Sequence, residues 1–176
     1  TFGIVGSPHY IIQSFSGFAW DSLRGDLIMY GGGHASYSGN DVYRWRSSTL
    51  QWERASLPSE VAPFMGTVAY MPVDGPDHAP PSAHTYDNSM YLPIADRFLT
   101  WGGAAFQSGD AYIKADATGT GVRRTGPYLF DPAFADGNKV GGSTGSHVQR
   151  VGPYPEVLGG NMWANRDIPG NAPSQF

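Results

Sequence analysis

Two apolar runs in this chain stop on a pair of glycines: 27-LIMYGG-32 and 98-FLTWGG-103, offset by 71 residues. A chain that twice drives an apolar segment into Gly-Gly is built for short strands that end in tight backbone turns, because glycine takes positive φ without steric penalty. The flanks repeat as well. Phe18 to Asp21 and Asp26 to Tyr30 read as two strands joined by the turn 22-SLRG-25, and Met90 to Leu92 and Arg97 to Trp101 read the same way around 93-PIAD-96. Aligning Gly31-Gly32 with Gly102-Gly103 sets Trp20 on Tyr91, Ile28 on Leu99 and Tyr30 on Trp101. After each Gly pair comes a Gly-rich loop and a further strand, 41-DVYRWR-46 or 111-AYIKA-115, with Tyr43 on Tyr112 at an offset of 69. The first unit adds a fourth strand, 51-QWERASL-57, and 122-VRR-124 is the corresponding strand of the second.

Composition narrows the class. The 24 Gly and 14 Pro among 176 residues favour many turns and few long helices, while 14% aromatics favour strands and argue against disorder. The expected fold is all-β, with a first unit at 16–57, a second at 82–125, and at 126–176 a long insertion or the start of a third, which includes one strand near His147 to Val151. The Pro-rich stretch 58–81 separates the two full units. A net charge of −4 with scattered Lys and Arg leaves no phosphate-tracking surface, so nucleic acid is not an expected partner. No run of 18 apolar residues is present, so no helical membrane span is expected. The absence of Cys rules out disulfides, thiolate catalysis and Cys metal sites. The chain opens on Thr1, as expected of a processed chain, an excised segment or part of something longer.

An apolar strand closing on Gly-Gly, then Asp-Val-Tyr (41–43), then Trp52 on the next strand, resembles the kelch repeat. The second unit resembles it less completely, as 98-FLTWGG-103 and 110-DAYI-113, with no Trp at the matching place. More closely, 31-GGGHASYSGNDVY-43 and 80-PPSAHTYDNSMYLPIADRFLTWGG-103 look like the galactose-oxidase-like, kelch-type β-propeller proteins of bacteria and their viruses; the likeness covers roughly residues 16 to 125. It implies propeller blades, about two and part of a third, in an incomplete ring. Gly31, Gly32, Gly102, Gly103, Tyr43, Trp52 and Tyr112 would be structural, with Tyr43 and Trp52 filling the gap between neighbouring sheets. Two blades cannot close a ring, so a protein partner or further copies or segments are expected to cover the open faces. The oxidase chemistry of galactose oxidase needs a Tyr–Cys cross-link, which a chain without Cys cannot form; no cofactor is expected.

Candidate chemistry sits in the loops. His34 and His84 flank the repeated units at positions from which they could meet, with Asp87 three residues beyond His84; a metal site of two His and one carboxylate is one reading, hydrogen-bonding loop histidines the ordinary one. His9, His78 and His147 have no ligand spacing. Asp21, Asp26, Asp41, Asp87 and Asp96 are mostly turn residues, a poor basis for a glycosidase pair. Asn40 and Asp41 read as a turn at the start of a strand. Tyr37, Phe106, Tyr154 and Trp163, in Gly- or Pro-rich stretches, are candidates for stacking on a sugar or partner, against the alternative that they cover the core. The expected function is non-enzymatic: a recognition or structural module that presents loops to a glycan or protein partner, extracellular or on a virion surface. The alternative is a galactose-oxidase-like carbohydrate-active enzyme with a His34–His84 metal.

Overall fold

The structure is a computed structural model; it describes residues 4–34, 36–59, 61–63, 70–72, 79–106, 112–115, 121–124, 127–138 and 163–165. A single helical turn, α1 (Tyr10–Gln13), precedes β1 (Phe18–Asp21), β2 (Asp26–Met29), β3 (Tyr43–Arg46) and β4 (Gln51–Arg54). Then follow β5 (Val61–Pro63), β6 (Tyr70–Pro72), β7 (Ala83–His84), β8 (Ser89–Leu92), β9 (Arg97–Thr100), β10 (Ala104–Ala105), β11 (Tyr112–Ala115), β12 (Gly121–Arg124), β13 (Tyr128–Phe130), a 3₁₀ turn at Pro132–Phe134, and β14 (Trp163–Asn165). The fold is all-β; the described residues form two four-stranded antiparallel sheets, β1-β2-β3-β4 and β14-β13-β9-β8, and three two-stranded pairings.

The 71-residue offset seen in the sequence is a structural repeat. Trp20 pairs with Leu27 across β1–β2, and Tyr91 with Phe98 across β8–β9, so both hairpins share one register. Backbone conformation repeats at the same offset: φ is positive at Phe15 and Tyr86, at Gly25 and Asp96, at Gly31 and Gly102, and at Gly32 and Gly103. The turn after β1 forms because the Asp21 carboxylate accepts from the Leu23 and Arg24 backbone N–H groups, at 3.0 and 3.1 Å.

The third and fourth strands of the second sheet are not those expected. Tyr112–Ala115 and Gly121–Arg124 pair with each other as a separate hairpin. The strand beside β9 is β13, with Phe130 opposite Phe98, and the outer strand is β14, with Trp163 opposite Phe130. Tyr112 therefore does not correspond to Tyr43. The Trp that seemed missing from the second unit is Trp163, which stands to Phe130 as Trp52 stands to Trp45. Strand His147 to Val151 lies outside the described residues.

The two sheets pack face to face. Ala19 and Ile28 from the first, with Tyr30, Val42 and Ala55 just beyond its strand ends, meet Phe98, Tyr128, Phe130 and Trp163 from the second in one buried core. Trp163 is its centre, with ring centroids 5.3 Å from Tyr30 and 5.2 Å from Phe130, both edge-to-face. At one end the hairpin turns are clasped: the Arg24 guanidinium donates to both Asp96 oxygens at 2.6 and 2.8 Å and to Asp21 at 2.9 Å. At the other end Tyr86 N–H donates to the Phe15 carbonyl at 2.8 Å, and Gly17 N–H to Thr85 Oγ1 at 2.6 Å. Beside β4, buried Asn40 donates to the Pro80 carbonyl at 3.2 Å and accepts from Ser59 N–H at 2.8 Å, so it ties distant segments together.

Candidate functional site

The end where the turns before β1 and β8 meet carries a group of four rings. Phe15 and Tyr86 are equivalent residues of the two units, each in the left-handed region immediately upstream of its sheet. His84, on β7, is held against Ala104 of β10. The loop after β2 brings His34 over it, since Gly33 lies against the backbone of Ser82 and Ala83 so closely that any side chain there would overlap it. The His34 and His84 ring centroids are 5.1 Å apart; Phe15 is 5.1 Å and Tyr86 5.8 Å from His84.

Three features separate this cluster from ordinary packing. His34, Phe15 and Tyr86 are three of the five non-Gly residues with positive φ among the described residues, at +63°, +53° and +48°. Such strain costs on the order of 1–3 kcal/mol per residue and gathers where a surface has a task. Exposure is split: Phe15 is 66% and Tyr86 41% exposed, His34 is exposed, and His84 at the base is 8% exposed. Finally, His84 Nε2 is buried with no hydrogen-bond partner. Burial lowers the His84 pKa below its ordinary value and the neighbouring His34 lowers it further, while a hydrogen bond with the Gly33 backbone opposes both. The ring is therefore neutral at neutral pH. With the other ring nitrogen engaged by Gly33, Nε2 is left as an acceptor closed off from solvent.

Chemically, two open aromatic faces beside the exposed His34 imidazole suit a ring-shaped ligand with hydroxyl groups. The two imidazoles also suit a transition metal, with the remaining coordination positions left to other ligands. Asp87 is exposed and is not part of the ring cluster, and the described residues hold no group of three or more His, Cys, Asp or Glu able to share a metal. The two-His-one-carboxylate arrangement is thus present only as its two histidines.

The other sequence candidates fall elsewhere. Tyr37, Phe106 and Trp163 are each at most 2% exposed, so as placed they cover core and cannot stack on a ligand; Tyr37 donates to Asp41 at 2.7 Å. Their Gly- and Pro-rich surroundings made them look like loop aromatics, but long-range contacts bury them. Tyr154, His78 and His147 lie outside the described residues, and His9 is exposed and bonded to Ser7 Oγ at 3.0 Å. Asp21 and Asp96 share Arg24, and Asp26 faces Arg46 at 2.9 Å. Asp41 is buried, and desolvation raises its pKa against the lowering effect of the bond from Tyr37. These carboxylates are tied into the fold, not aimed at a common opening. Gly31, Gly32 and Gly103 are buried and Gly102 half-buried at their turns, Tyr43 rests on the Ile11–Met29–Tyr37 cluster, and Trp52, expected between sheets, is 48% exposed. Phe15 and Tyr86 went unnoticed in the sequence; carrying the 71-residue alignment three residues upstream of β1 and β8 would have paired them. No known protein family, no curated protein and no solved structure matches the chain.

Proposed function

We propose that the chain is a non-enzymatic recognition module, two kelch-like propeller blades of a larger extracellular or virion-surface assembly, and that it binds a glycan at the Phe15–Tyr86–His84 cluster. The observation that carries the reading is the gathering of two open aromatic rings, Phe15 and Tyr86, and the exposed His34 imidazole around His84. A pyranose presents an apolar C–H face to Phe15 or Tyr86 while its hydroxyls meet the exposed His34 imidazole. Strained backbone at Phe15, His34 and Tyr86 is consistent with side chains held in place for a ligand. The propeller reading rests on the kelch resemblance, to which two similarly built, stacked sheets lend support. Screening on a glycan array followed by calorimetry tests it. The expected result is saturable binding that Phe15→Ala and Tyr86→Ala abolish without lowering Tm, since both side chains are open. Silence on the array, or binding indifferent to both substitutions, would refute it; capture of a protein surface by the same residues would replace the glycan with a protein partner.

The 5.1 Å His34–His84 separation favours one second reading, a transition metal held by the two imidazoles in a carbohydrate-active enzyme. Stoichiometric metal retained through dialysis, lost in both His34→Ala and His84→Ala, would establish that reading against the first.

A further inference from the structure

The repeat makes one face of the first sheet conspicuous. Register partners on neighbouring strands share a face, so Trp20, Leu27, Trp45 and Trp52 form one row across β1, β2, β3 and β4. The equivalent row of the second sheet is Tyr91, Phe98, Phe130 and Trp163. That second row is packed in the core beneath Ala19 and Ile28, which belong to the opposite face of the first sheet. Among the described residues the first row has no such cover. Trp20 is 52% and Trp52 48% exposed, Leu27 and Trp45 are only half-buried, and Phe18, on the same face, is 57% exposed. Part of this face is closed by Ile11 of α1 and by Tyr37, which pack on Met29, but the Trp row lies beyond them. At roughly 200 Å² per ring, Trp20, Trp52 and Phe18 leave about 300 Å² of aromatic surface in water, as much as the largest patch of an ordinary monomer.

The chain also carries the surface that fits it. In the second sheet the equivalents of Ala19 and Ile28 are Met90 and Leu99, register partners on its outward face, continued by Leu129. Met90 is 43% exposed, and Leu99 and Leu129 are half-buried. Within the chain an Ala19–Ile28 row covers an aromatic row. We infer that between chains the Met90–Leu99–Leu129 row of one copy covers the Trp20–Leu27–Trp45–Trp52 row of the next. The contact is head-to-tail, using two different faces, so copies add in one direction and stop when a ring closes. The hairpin clasp has no counterpart at this junction: positions equivalent to Arg24 and Asp96 are Ala95 and Gly25. Association is accordingly weaker than the packing inside the chain and depends on concentration.

Sedimentation equilibrium on the full chain between about 1 and 100 μM tests the inference, a range that spans the affinity of a modest protein interface. The expected result is a mass that rises with concentration above that of one chain. Trp20→Glu and Met90→Glu should each be monomeric alone, and an equimolar mixture of the two should form a one-to-one heterodimer, because each retains the face that the other has lost. Trp52→Glu should behave as Trp20→Glu does, which guards against one variant that misfolds; far-UV circular dichroism confirms the sheets in all three. A native chain that stays monomeric throughout would overturn the proposal, including the case in which another part of the same chain covers the Trp row. So would self-association of Met90→Glu alone, which would mean that like faces pair, or a mixture that fails to associate while both variants are folded.

Discussion

Trp52 and Trp163 hold the same place in their sheets, yet one is 48% and the other 0% exposed, so truncating each should have very different consequences. Replacing Trp163 by Ala removes a side chain that contacts Tyr30, Phe98, Tyr128 and Phe130. At about 25 cal/mol per Å² and roughly 200 Å² buried, the transfer contribution alone is about 5 kcal/mol. Partial collapse of the surrounding rings would bring the loss to about 3–5 kcal/mol, a large share of a domain's total stability. Trp52→Ala gives up about half the area, about 2.5 kcal/mol by the same coefficient, and on an edge strand with room to relax it should cost about 1–2 kcal/mol. Urea denaturation followed by circular dichroism at about 1 μM protein, dilute enough to keep copies apart, reads both values from the midpoint shifts. Equal costs for the two substitutions, or a Trp163→Ala variant as stable as the native chain, would refute the argument that β14 closes the core as the fourth strand of the second sheet.

Arg24→Met should lower stability by about 2–3 kcal/mol at neutral pH, because it strips the partner from Asp21, which is buried, and from Asp96. The Arg24 guanidinium holds the Asp96 pKa down to about 2, so the clasp contributes above pH 4 and is lost as pH falls toward 2. Discounted for the partial exposure of both side chains, that contribution is about 1–2 kcal/mol, and thermal melts between pH 2 and 5 should show it in the native chain and not in the variant. Asn40→Ala should cost about 1–3 kcal/mol, since it removes two buried hydrogen bonds, to the Pro80 carbonyl and from Ser59 N–H; chemical denaturation measures it. His84 should titrate below the ordinary histidine value in an NMR pH series, and because its folded pKa is depressed by burial, the stability it governs is present above the unfolded value and lost as pH falls through the folded one.

Local signals in the sequence locate the two N-terminal hairpins of the sheets well. Apolar runs ending in Gly-Gly and four-residue turns at Ser22–Gly25 and Pro93–Asp96 are decided by neighbours along the chain, and they set the 71-residue register that the structure shows. Beyond Trp101 the same reasoning fails, because residues 101–127 and 131–162 intervene where the first unit has only 30–42 and 47–50. Taking the next strand-like segment, Tyr112–Ala115, as the neighbour of β9 assumes short connections. The pairing of β13 instead follows from placing Phe130 and Tyr128 beside Trp163 in the core, a gain that sequence spacing does not reveal. His34 and His84 were legible as a pair because each flanks a repeated turn. The rings that surround them were not: the 71-residue offset pairs Phe15 with Tyr86, but their approach to His84 depends on left-handed backbone at non-glycine residues, which residue type does not signal.

The strand order of the second sheet carries the whole account, because it sets the core, the repeat and the exposed Trp row. Cross-strand NOEs on the isotopically labelled chain measure it directly. Backbone contacts from Leu99 to Leu129 and from Leu129 to Ala164 are the predicted result. Contacts that join β9 to Tyr112–Ala115 in their place would contradict it.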